Sequence, residues 1–153
     1  MAFKYRPQKR LNDSDFQKFT VPTGQTVHAG MPIKLNATDA GSGNGNYPEA
    51  QEAAADTDNP IAIAYGGDDP SKTWTEGQTF DGVLLGDGAT IPILVGTGGI
   101  TRGSHVVANS DGFKNAPAHG TGSRIYSPGV AWETASAGTW SSLLVQKVAL
   151  SKA

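Results

Sequence analysis

Residues 79–96 read TFDGVLLGDGATIPILVG, and the parsing of this stretch decides the fold. It divides into two apolar runs, TFDGVLLG at 79–86 and TIPILVG at 90–96, each closed by a glycine. Short runs rich in β-branched residues and bounded by Gly, Asp and Pro read as strands, because a helix needs about ten residues or more to bury a face. The same grammar recurs in PIAIAYG (60–66), PGVAWE (128–133) and SLLVQKVAL (142–150). In ITRGSHVVANSDGFKN (100–115) a Gly turn precedes His105-Val106-Val107-Ala108, and Asp111-Gly112 is a hairpin signal before Phe113. TVHAGMPIKLN (26–36) adds an alternating segment, a Gly turn and a strand from Pro32 to Leu35, with Asn36-Ala37-Thr38 as polar residues at the strand end.

Composition agrees with this reading. Glycine supplies 20 of 153 residues and charged residues 17%, against about 25% in an average domain, so turns are many and surface helices few. The length suits one domain. The expected fold is all-β, a small β-barrel or β-sandwich of jelly-roll or β-tulip type, with an extended N-terminal arm (1–20) and a single β-domain (21–153). A long acidic surface insertion at 37–59 interrupts that domain and is expected to be an irregular loop with at most one short helix, for which PEAQEAAAD (48–56), Pro48 at its first position, is the candidate.

The halves of the sequence echo each other. VHAGMPIKLN matches ITRGSHVVAN in character, NPIAIAYG matches SPGVAWET, and TIPILVG is paired with WSSLLVQ, which predicts an internal duplication whose two half-sets of strands pack on each other.

With no cysteine, neither a disulfide nor a thiolate metal site is available. No apolar run is long enough to span a bilayer and the first residues lack a signal-peptide core, so a soluble chain made in the cytoplasm is expected, without a membrane partner. Net charge is −2 but segregated. Residues 1–20 hold five bases and two acids, whereas residues 37–81 hold nine acids and Lys72 as the one base. The overall acidity disfavours nucleic acid as a partner. The arm combines Phe3, Tyr5, Phe16 and Phe19 with Arg6, Lys9 and Arg10, and aromatic-plus-basic composition marks it as a docking segment.

No phosphate-loop, nucleophile-elbow or zincin pattern occurs, so no catalytic residue, metal or cofactor is predicted. His28, His105 and His119 read as turn or strand-edge residues, and Asp56, Asp58, Asp68 and Asp69 as solvated loop acids without EF-hand spacing. Trp132 lies in an alternating strand and is expected in the core. Trp74, in the polar segment PSKTWTEGQ, is the exposed candidate for an interface, or for sugar stacking in a carbohydrate-binding module.

Residues 98–115, GGITRGSHVVANSDGFKN, and 127–145, SPGVAWETASAGTWSSLLV, together resemble the capsid decoration, or cement, proteins of tailed bacteriophages. Shared features are a turn glycine and strand, a D-G hairpin, a Gly-Val-Ala strand, a small-residue turn and a final apolar strand. The resemblance implies a non-enzymatic protein on the outer surface of the virion head. Such a protein would form a homotrimer, bind the major capsid protein through an N-terminal arm and bridge its subunits. Gly129-Val130-Ala131 would then be scaffold and Ala135-Ser136-Ala137-Gly138 a tight turn.

Overall fold

The computed structural model describes residues 15–37 and 47–153. Among them there is no α-helix, and the fold is all-β. The strands are β1 (Phe16–Thr20), β2 (Thr26–His28), β3 (Pro32–Leu35), β4 (Ala50–Glu52), β5 (Ala62–Tyr65), β6 (Thr73–Thr75), β7 (Thr79–Leu84), β8 (Thr90–Leu94), β9 (His105–Asn109), β10 (Gly112–Asn115), β11 (His119–Ala131) and β12 (Trp140–Lys152).

These strands form two five-stranded antiparallel sheets with one topology. Read from one edge, the first runs β4-β3-β5-β7-β1 and the second β10-β9-β11-β12-β8. In each half a parallel bridge ties the end of the first strand to the opposite edge, Thr20 to Glu49 and Val95 to Phe113, and curls the sheet toward closure. The small β2-β6 ladder of the first half has its counterpart in the bridge between Ile100 and Ala135. The duplication is therefore real, with one correction to the sequence pairing. TIPILVG is β8 and corresponds to β1, while the last strand β12 corresponds to β7, because position in the sheet and not apolar content defines equivalence.

Side-chain parity explains the packing. In β5, Ala62 and Ala64 face inward with Ile33, Phe19 and Phe80 to fill the first half. Ile63, between them, points the other way, and with Val83 it joins the core of the second half, beside Ile91, Ile93, Val106, Phe113 and Leu143. One strand thus serves two cores. Gly82 is required here, since a Cβ would stand 2.7 Å from the ring of Phe19. The halves meet again at Gly30, whose N–H donates to Ala64 O (2.8 Å) and whose carbonyl accepts from Leu94 N–H (3.1 Å).

The D-G hairpin forms as expected: Gly112 pairs with Asn109 and has φ 144°. The 127–140 segment is scaffold and turn, with Gly129 opposite Val106 and Val145 and Gly138 at φ 79°. Two expectations need correction. Residues 48–56 are not a helix: Ala50–Glu52 is β4, paired with β3, and Ala50 and Ala53 are fully buried. A helix this short would have lost both the ladder bonds and those buried methyls. The insertion is thus anchored in the sheet from residue 49 onward. The arm also ends earlier than residue 20, because Phe16–Thr20 is β1, paired along its length with β7.

Candidate attachment surface

Of the residues assigned to the arm, Phe3, Tyr5, Arg6, Lys9 and Arg10 lie outside the described residues. Phe19 is 1% exposed between Phe80 (ring centroids 5.6 Å apart) and Gly82, so it is a core residue and not a docking anchor. Phe16, three residues earlier, falls on the opposite face of the strand and packs on Tyr65 at 5.4 Å.

That outer face carries a cleft of about 670 Å³, lined by Phe16, Lys18, Tyr65, Lys72, Trp74 and Asp81, with Gly66 and Gly67 at its rim. Register creates it. Lys18 is opposite Asp81 and Asp81 opposite Tyr65, so three neighbouring strands present one cation, one carboxylate and one phenol in a row. Lys18 Nζ donates to Asp81 Oδ1 at 3.0 Å, and this hydrogen bond, reinforced by the carboxylate charge, raises the Lys18 pKa above its ordinary value. Chemically, the cleft offers apolar walls, ammonium groups and a carboxylate. Such a surface has the chemistry to hold a ligand or another protein.

Trp74 reverses its expectation. It sits in β6 opposite Val27, is 8% exposed, and packs on Phe80 at 5.5 Å, so only its edge reaches the cleft. Trp132, expected in the core, is 44% exposed. In both cases a strand's parity decides: Ala131 fills the inward position and the next residue must face out. Tyr65, Lys72 and Asp81 were not foreseen as site residues. The alternation AIAY hints at an outward Tyr65, but nothing local to the sequence shows that β1, β5 and β7 are neighbours.

The polar residues are spread out. His28 Nδ1 lies 3.1 Å from Glu52, and His105 Nδ1 3.5 Å from the Ser127 hydroxyl. Asp56 pairs with Lys152 (3.4 Å) and Asp58 with Lys34 (2.8 Å), while Asp69 accepts from the Ser71 N–H and hydroxyl in a different turn. Among the described residues no three His, Asp or Glu converge as a metal would need. Burial pushes the Asp58 carboxyl up, but the Lys34 ammonium and the Ala54 and Ala55 N–H groups outweigh it and hold the pKa below the usual carboxylate range.

The fold defines an all-β protein built from two like halves. No protein-family model and no curated protein matches the chain. A solved structure does: the head fiber gp8.5 N base of bacteriophage phi29, with TM-score 0.59, 20% identity, and coverage of 86% of this chain and 94% of that one. At this identity the likeness is one of fold.

Proposed function

We propose that the chain is a structural, non-enzymatic protein of a bacteriophage virion. It sits on the outer surface of the head as a homotrimer, binds the major capsid protein and bridges its subunits. The observation that supports this most is the likeness to a phage head-fiber base over nearly the whole of both chains. Attachment runs through the N-terminal arm and the cleft that Phe16 lines, where Phe16, Tyr65 and Lys18 would meet the shell. The basic arm steers to an acidic surface and aromatic contact then holds it.

Co-sedimentation with purified heads tests this. The full chain pellets with heads and a variant beginning at Asp15 stays in the supernatant. A full chain that never pellets with heads would defeat the proposal. A second reading, a carbohydrate-binding module on a phage tail or host surface, is favoured by the exposed Trp132. Glycan binding that is lost in Trp132→Ala would support it.

A further inference from the structure

The two halves share a strand order but not a charge. Residues 15–87 carry eleven Asp or Glu against three Lys, and residues 88–153 carry two acids against five Lys or Arg. Divergence of this kind makes each copy electrically polar, acidic at one half and basic at the other.

The basic half offers a shaped surface. β8 pairs with β12 over Trp140–Leu144, and β9 with β11 at Gly129 and Val130, so the outer parts of β11 and β12 continue as a two-stranded ribbon. Arg124 stands opposite Ser151 and Tyr126 opposite Ala149, which puts Arg124 and Tyr126 on one face. Lys147, two residues before Ala149, shares it. Tyr126, Pro128, Lys147 and Ala149, with Asn59 and Pro60 from the first half, line a groove of about 190 Å³. Arg124 and Lys147 are both exposed.

The acidic half offers a matching projection. Between β5 and β6 the turn Gly66-Gly67-Asp68-Asp69-Pro70-Ser71 carries adjacent exposed carboxylates. Gly67 takes φ 66°, and Asp69 accepts from Ser71 N–H (3.0 Å) and Oγ (2.7 Å), which fixes the turn's shape. A narrow turn with two carboxylates suits a small groove that Lys147 lines and that has Arg124 further along the same ribbon face.

We propose that a second copy of the chain docks its Asp68-Asp69 turn in the ribbon groove, against Lys147 and Arg124. The contact is heterologous, since each copy uses its acidic surface on one neighbour and its basic surface on the other, and such contacts close into a ring when the rotation between copies closes, as the proposed homotrimer requires. The inference rests on the self-association in the proposed function and gives it a geometry.

Sedimentation of the full chain at low and high salt, beside R124E/K147E, D68K/D69K and their equimolar mixture, is the test. The wild type associates at low salt and loosens as salt screens the contact. Each charge-reversed variant alone dissociates, its dissociation constant rising at least about tenfold. Mixing restores association between unlike copies, because each reversed surface then meets its complement; a three-membered ring keeps one contact between like copies, so association returns in part. Thermal melts check that the variants fold. If D68K/D69K does not, D68N/D69N, whose amides keep the turn's acceptor, tests the contact by loss of association alone. A wild type that stays monomeric at every salt overturns self-association as a whole. An oligomer unchanged in both reversals, or a mixture that stays dissociated, overturns only this contact.

Discussion

Gly30 shows how much one backbone position decides. Its φ of 86° lies where side chains are disfavoured, and an added Cβ would stand 2.5 Å from the Trp140 ring and 2.8 Å from Leu94 N. Gly30→Ala therefore forces the halves apart and is expected to cost about 2–4 kcal/mol in urea melts, the range of combined strain and overpacking. Phe19→Ala should cost about 3–5 kcal/mol by leaving a void beside Phe80. A capsid-docking role for Phe19 would instead leave stability untouched. Asp58 governs an acid dependence. Its folded pKa is depressed, so its contribution is complete above the unfolded value, about 3.9, and is lost as pH falls through the lower folded value. Melts between pH 5 and pH 2 should show Asp58→Asn flattening this fall, by about 1–2 kcal/mol for hydrogen bonds to a charged acceptor. The sequence displayed these residue types but not their surroundings: Phe16 and Phe19 look alike in FQKFT, and only the parity of a strand separates the outward ring from the core ring.

At the scale of elements, most strands were legible because each apolar run is short, alternating or glycine-closed, and the D-G hairpin is a local signal that tertiary structure does not override. The misreadings fall where partners are distant in sequence. Ala50–Glu52 has helix-forming composition, yet its edge pairing with β3 supplies bonds an isolated turn of helix lacks. β1 has little alternation of its own, and what makes it a strand is β7, with Lys18 meeting Asp81 at a sequence separation of 63. Removing β1 should therefore unfold the first half. A variant beginning at Val21 is expected to lose cooperative melting by circular dichroism, while one beginning at Asp15 keeps it. Equal melting curves for the two would show that β7 can end the sheet unaided. The cleft has the same origin as these errors, since three strands far apart in sequence build it and no local pattern announces it.

At the scale of the whole molecule, the duplication was visible in two of its three sequence echoes, because the Gly-turn strand and the Pro-initiated strand keep their local character. The third failed because β7 and β8 share apolar content while holding different places in their sheets. Likeness of composition is not equivalence of position. The shared cores have a further consequence, for the order of events on the ribosome. Every strand of the first sheet lies within residues 16–84, so that sheet can close while the second half is still being made. Ile63 and Val83, fully buried in the finished protein, belong to the core the second half completes, and they remain bare until β8 to β12 have emerged. The nascent chain thus passes through a stage with one sticky flank, and its yield will depend on how quickly translation continues past Gly88.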